Sequence, residues 1–237
     1  MQTCSPSLML IVSQIDLQKK QEHSKIETLA QTGKSNTDVR KAGKQRRPKK
    51  RSCVKSAERE RRMKKILVVV DMQNDFIDGA LGTPEAEKIV GRVVEKIGSY
   101  KEDCIVATRD THEDNYLETA EGKQLPVKHC IRGSHGWEIR KEVSLAMPKA
   151  VIIDKPTFGS MELVRLLQER AAKEELEIEL VGLCTDICVV TNALLLKTAL
   201  PETVIRVDGN CCAGVTPKSH EAALLTMQMC QVLVSGS

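Results

Sequence analysis

Apolar residues recur along this chain with two alternating periods, and the switches between them mark out the elements. Residues 66–70 form an unbroken β-branched and apolar run, as expected of a strand covered on both faces. Ala86, Ile89, Val90, Val93, Val94 and Ile97 then fall on one stripe at three-and-four spacing, which predicts a helix. Residues 104–108 and 150–153 read as buried strands. A helix over 161–172 is predicted by Leu163, Val164, Leu166, Leu167 and Ala171. Residues 178–183 give a fourth strand, 185–200 a helix and 203–207 a fifth strand. A helix over 217–229 follows, with Pro217 suited to its first turn, and a short strand over 232–234 completes the series. Strands alternating with amphipathic helices imply right-handed crossovers. The expected fold is α/β: three layers, α/β/α, around a six-stranded, mainly parallel, Rossmann-like sheet.

Residues 1–62 lack either period. Over 41–62 the chain is almost entirely Lys, Arg, Gln, Ser and Glu, too little apolar surface to offset chain entropy. The first 62 residues hold sixteen Lys and Arg against six Asp and Glu, a balance of +10. The remainder holds 20 basic against 26 acidic residues, a balance of −6, so the overall +4 averages two unlike pieces. The expectation is a basic, disordered extension over 1–62 and a folded domain over 63–237. Met63-Lys64-Lys65 leads straight into the first strand, which makes Met63 an alternative start. A basic tail can contact phosphates, but the acidic balance of the folded part argues against nucleic acid as the partner.

The nine cysteines are odd in number and irregularly spaced, and most sit in apolar runs. That pattern fits free thiols in a reducing compartment better than a disulfide framework. No pair of CxxC motifs suggests structural zinc. No apolar run approaches the roughly 20 residues that span a bilayer. Residues 7–12 are too short for the core of a signal peptide, and no basic residue precedes them. These readings place the protein in the cytoplasm, without a membrane partner. Exposed apolar helix faces could support self-association into a homo-oligomer.

Parallel sheets of this kind bind ligands beyond the carboxyl ends of their strands. Asp71, Asp110 with His112, Asp154 with Lys155, and the 184–188 segment all follow strands. Cys188 falls in the expected first turn of a helix, where backbone N–H groups and the helix dipole favour a thiolate and could hold an oxyanion. Asp71 could act as a general base and Lys155 could tune both groups. Taken singly, Cys188 and Asp71 read equally well as a core thiol and a turn carboxylate, and Lys155 reads better as a solvated lysine. Together they supply what amide cleavage needs, since the thiol must lose a proton and the amine must gain one. A second constellation, Asp110, His112, Glu118, Glu121 and His129, lies within twenty residues and can ligate a divalent transition metal.

These residues resemble a known family. The run from Ile66 through Asp71-Met72-Gln73-Asn74-Asp75-Phe76 looks like the opening of isochorismatase-like cysteine hydrolases, nicotinamidases above all. Thr108-Arg109-Asp110-Thr111-His112, His129-Cys130-Ile131-Arg132-Gly133-Ser134, Lys155 and Thr185-Asp186-Ile187-Cys188 follow in the family's order and spacing. The resemblance implies a catalytic triad of Asp71, Lys155 and Cys188, with an oxyanion hole from the backbone N–H groups of Cys184 and Cys188. It also implies a cis peptide at Leu183–Cys184 and a substrate pocket lined by Phe76. Metal ligation is implied for Asp110, His112 and His129, with Glu121 preferred to Glu118 as a further ligand. Zinc is the expected metal, although such ligands also accept iron and manganese. The implied reaction converts nicotinamide to nicotinate and ammonia in pyridine-nucleotide salvage; the alternative is another amide or ureide of carbamoyl type. With only two Phe, two Tyr and one Trp in the chain, aromatic walls for a pyridine ring are scarce. Phe76, Tyr116 and Trp137 are the aromatic candidates in the motif-bearing loops.

Overall fold

The computed structural model describes residues 63–236, and the extension expected over 1–62 lies outside them. Six strands form one sheet: β1 (Lys64–Val70), β2 (Ile105–Asp110), β3 (Val151–Lys155), β4 (Leu176–Leu183), β5 (Val204–Ala213) and β6 (Leu233–Ser235). Their order across the sheet is β3-β2-β1-β4-β5-β6, and every neighbouring pair is parallel. β5 runs well past its expected end at 207, because the register shifts between Leu180 and Gly182 of β4 and pairing resumes at Cys212 and Ala213.

Alternation along β1 sends its side chains into two cores. Ile66, Val68 and Val70 pack on one face with Leu163, Leu167, Ala193, Leu196 and Met227. Leu67 and Val69 pack on the other with Ile89, Val93, Ile97 and Val143. Since β1 is covered on both sides, it carries the continuous apolar run that the sequence shows.

The helices, in chain order, are α1 (Asn74–Ile77), α2 (Pro84–Gly98), α3 (Ala120–Gln124), α4 (Lys141–Ala146), α5 (Met161–Ala171), α6 (Val190–Ala199) and α7 (Pro217–Met229). Four of them begin on capped turns, where a side-chain oxygen satisfies a free backbone N–H, among them α3, where the Thr119 hydroxyl accepts from Gly122 N–H at 3.0 Å. The Thr83 hydroxyl accepts from Ala86 N–H at 3.1 Å and the Ser160 hydroxyl from Leu163 N–H at 3.1 Å. Thr216 and Ser219 form a reciprocal capping box before α7. The helix expected over 185–200 opens instead on a wider π-helical turn, Thr185–Val189, before α6 begins. Among the described residues no helix is long and apolar enough to cross a membrane.

The strand order fixes where a site can form. From β1 the chain moves outward through β2 and β3, then returns to β4 on the opposite flank of β1. Connections diverge at the carboxyl ends of β1 and β4, and that divergence opens a crevice.

Candidate active site

Four strand ends deliver polar side chains to this crevice. Asp71 follows β1 directly, in the left-handed region with φ 47°, and is fully buried. Asp110 ends β2 and Lys155 ends β3, and the two are register partners across the sheet. Cys188 comes from the π-helical turn after β4. Close approach of β4 to β1 depends on Gly182, with φ +116°, where an added Cβ would lie 2.1 Å from the Val70 carbonyl oxygen.

The Lys155 ammonium is the hub. Its Nζ lies 2.7 Å from Asp71 Oδ2, 3.2 Å from Asp110 Oδ1 and 3.4 Å from Cys188 Sγ, and it donates to the Thr157 carbonyl at 3.2 Å. Lys155 approaches Asp71 Oδ2 off the hydrogen-bonding direction, so this oxygen has an ion-pair partner but no directed donor. Asp71 Oδ1 accepts from the Thr108 hydroxyl at 2.7 Å, which fixes the carboxylate plane. Burial pushes the Asp71 carboxyl above its ordinary range, against the opposing pull of Lys155. Burial and the Asp71 charge push the Cys188 thiol well above its own range, again opposed by Lys155. Burial alone would lower Lys155, but Asp71, Cys188 and Asp110 more than reverse it. The site therefore sets a lysine whose charge is favoured between an acid and a thiol whose protonated forms burial favours.

A second cluster shares Asp110. Its Oδ2 lies 3.0 Å from His112 Nε2 and 3.7 Å from His129 Nε2. Donor atoms of Asp110, His112 and His129 all lie within 4.8 Å of one another. His129 Nδ1 contacts the Val127 carbonyl at 2.8 Å, which places the proton there and turns the Nε2 lone pair toward the cluster. His112 Nε2 is buried with the Asp110 carboxylate 3.0 Å away but off the hydrogen-bonding direction, so it has an ionic neighbour and no directed partner. Glu121 Oε1 stands 3.8 Å from both Nε2 atoms, whereas Glu118 is exposed on the surface. A carboxylate, two oriented imidazoles and a partly exposed second carboxylate fit a divalent transition metal.

Both clusters open into a cavity of about 420 Å³. Phe76 and Cys184 line it together with Leu81, Leu125 and Phe158. The peptide bond Leu183–Cys184 is cis. Of the three aromatic candidates, only Phe76 reaches the cavity. Tyr116 is buried behind the histidines, its ring 4.6 Å from His112 and 5.0 Å from His129. Trp137 lies beneath Arg109, whose Cζ is 3.4 Å from the ring centroid. Asp154 likewise faces away, paired with Arg109 and Arg132 at 2.7 and 2.9 Å.

Several supporting residues escape a reading by type and spacing. The buried Gln73 amide accepts from Asp110 N–H at 2.6 Å and donates to the Asp110 and Trp137 carbonyls at 2.8 and 2.9 Å. Asp75 Oδ2 accepts from Cys130 N–H at 2.7 Å and so anchors the loop that carries His129. Their signal in the sequence is their place in the motif run after the first buried strand, which assigns neither a role. Phe158 had no such signal, since its place at the cavity depends on how the loop after β3 folds back.

A three-layer fold with a thiol, ammonium and carboxylate at the carboxyl ends of its strands defines a cysteine hydrolase of small molecules. The chain belongs to the isochorismatase family: the Isochorismatase domain model matches residues 65–237. A zinc-bound pyrazinamidase of Pyrococcus horikoshii superposes with a TM-score of 0.60 at 28% identity, covering 73% of this chain and 99% of that one. The nicotinamidase/pyrazinamidase of Bacillus subtilis gives 0.63 at 27% identity, covering 73% and 100%. An N-carbamoylsarcosine amidase of Thermoplasma acidophilum gives 0.58 at 28% identity, covering 73% and 96%.

Proposed function

We propose that this chain is a metal-assisted amidohydrolase converting nicotinamide to nicotinate and ammonia, with Cys188 as nucleophile. The observation that carries this reading is one cavity lined by both the Cys188 thiol and the Asp110–His129 donors. The nicotinamidase relative supports the substrate, and the zinc-bound relative supports zinc as the metal.

Asp71 takes the Cys188 proton as the sulfur attacks the carboxamide carbon. The charge passes from carboxylate to sulfur while Lys155 stays beside both, so its attraction is kept throughout. The backbone N–H groups of Cys184 and Cys188 receive the oxyanion. As the tetrahedral adduct collapses, the C–N bond breaks, and Asp71 returns the proton so that ammonia leaves. Water then attacks the thioester carbon and gives a proton to Asp71. The C–S bond breaks, and the sulfur is reprotonated. Asp110, His112, Glu121 and His129 would hold the metal, which when bound supplies a Lewis acid for the ring nitrogen. Phe76 and Phe158 flank the space left for the ring. Unpaired thiols among the described residues support a reducing, cytoplasmic setting.

One feature favours a second substrate class. Leu81 and Leu125 give the cavity aliphatic wall where a ring would stack on aromatics, which suits a carbamoyl compound. Ammonia release from nicotinamide is to be compared with that from a panel of amides and ureides, with Cys188→Ala as the inactive control. Preferred turnover of nicotinamide is expected, and no turnover at millimolar nicotinamide overturns the substrate.

A further inference from the structure

A fully buried asparagine stands behind the nucleophile and takes no part in the amide chemistry. Asn192 lies in α6, one helical turn past Cys188, and is 0% exposed. Inside a helix an asparagine amide competes for backbone groups, which makes it a poor choice there unless its own partners are fixed. Here all three are. Its Nδ2 donates to the Cys188 carbonyl at 2.8 Å and to the Phe158 carbonyl at 3.2 Å, and its Oδ1 accepts from Ser160 N–H at 2.9 Å. The amide is thus held between the nucleophile's own backbone and the loop after β3. Shape adds to the hold. A Cβ placed on Gly159 would lie 2.4 Å from Leu195 Cδ1 and 2.8 Å from Thr191 Cγ2, so the same loop presses on α6.

That loop leads back to the ammonium. The Thr157 hydroxyl donates to the Gly159 carbonyl at 2.8 Å, and the Thr157 carbonyl accepts from Lys155 Nζ at 3.2 Å. Lys155 Nζ in turn stands 3.4 Å from Cys188 Sγ. The contacts close a circuit from the Cys188 carbonyl through Asn192, the 157–160 loop and Lys155 to the Cys188 sulfur. The strand order gives this circuit its weight. β3, which ends in Lys155, and β4, which precedes Cys188, are separated by β2 and β1. No strand pairing sets the distance between that ammonium and that sulfur.

We propose that Asn192 is a positioning residue, clamping the Lys155 loop to the nucleophile turn and so setting the ammonium-to-sulfur distance for attack. The idea rests on Cys188 being the nucleophile. Asn192 is not among the residues that line the cavity, and its partners are all backbone groups. It acts only through the two segments it joins. Without the amide, two carbonyls and one N–H lose their partners, and loop and turn are free to shift apart.

The test compares full-length Asn192→Leu and Asn192→Thr with the parent on whichever amide the enzyme hydrolyses. Leucine keeps the volume and removes all three bonds. A threonine hydroxyl can still bond the Cys188 carbonyl one turn back, but it leaves the loop untied. In both variants kcat should fall about 100-fold, the order of loss that a misplacement of roughly 1 Å causes, with KM moved far less. Iodoacetamide labelling of Cys188, mapped by peptide mass, is the second readout. It should slow in both variants, because the ammonium no longer steadies the thiolate. A merely structural asparagine would do the reverse, since a loosened fold exposes the buried sulfur and labels it faster. If leucine prevents folding, threonine decides. Faster labelling, a loss confined to KM, or parental kcat in Asn192→Thr overturns the proposal. Labelling needs no substrate, so it still decides if nicotinamide proves the wrong amide. Full turnover in Cys188→Ala would instead remove the nucleophile assignment beneath it.

Discussion

Asp110 faces two neighbours at once, with Oδ1 toward the Lys155 ammonium and Oδ2 toward His112. One carboxylate thus joins the proposed nucleophile's ion network to the proposed metal ligands, and Lys155 is the cation that lets two buried carboxylates coexist. Lys155→Met should therefore destabilise the fold by about 3–5 kcal/mol, because Asp71 and Asp110 would remain buried without a counter-charge. Urea unfolding measures this; a midpoint unchanged from the parent would contradict the reading. His112→Ala should weaken metal affinity by more than the roughly 10–100-fold that loss of an outer-shell partner costs, while alkylation of Cys188 stays nearly unchanged. Titration of the metal-free protein with zinc and a thiol-labelling rate separate the two effects. At this scale the sequence was informative by type: Asp71, Lys155, Cys188, Asp110, His112 and His129 were all legible as candidates. It did not show that Asp110 serves both clusters, since that depends on the register of β2 against β3.

At the scale of elements, the join between β1 and β4 is where the backbone tolerates least. Gly182 has φ +116° and no room for a methyl group against Val70. Gly182→Ala should cost several kcal/mol, on the order of 2–4, through both backbone strain and overlap. Loss of soluble protein, or a thermal midpoint well below the parent's, is the expected result. The turn after β4 offers a second check. Thr185 Oγ1 lies 2.8 Å from His220 Nδ1, tying the turn to α7. Burial holds the His220 imidazole below its ordinary range despite Asp186 nearby. A histidine whose folded value is depressed favours the neutral form in the fold. Its contribution is thus complete above the unfolded value of about 6.5 and is lost as pH falls through it. Stability measured from pH 8 to pH 5 should fall less steeply in His220→Gln than in the parent. Helix and strand types were readable from periodicity. The π-helical opening of the helix after β4 was not, because the turn is widened by hydrogen bonds to a carbonyl in the preceding loop rather than by side-chain pattern.

For the molecule as a whole, the strand order β3-β2-β1-β4-β5-β6 puts the site at the one crevice where connections diverge. Every residue named in the site lies between Asp71 and Cys188, inside the span matched by the family model. A chain beginning at Met63 should keep full turnover and zinc binding. Equal specific activity of the full chain and this fragment is the expected result, and a marked loss would assign the basic segment a role in catalysis. The sequence by itself determined the strands, the longer helices and which residue types can do chemistry, because hydrophobic period and side-chain identity are local properties; α1, α3 and α4 are too short to show a period. It also carried the ordered motifs that mark the family. Only the tertiary structure decided which of those residues meet. Phe158 reaches the cavity while Trp137 and Tyr116 do not, Cys184 comes to share a cavity with Cys188, and Glu121, which the family resemblance already preferred to Glu118, stands 3.8 Å from both histidines. Each of these is a distance between segments far apart in the chain or a direction set by backbone torsions, and neither quantity is written in composition or spacing.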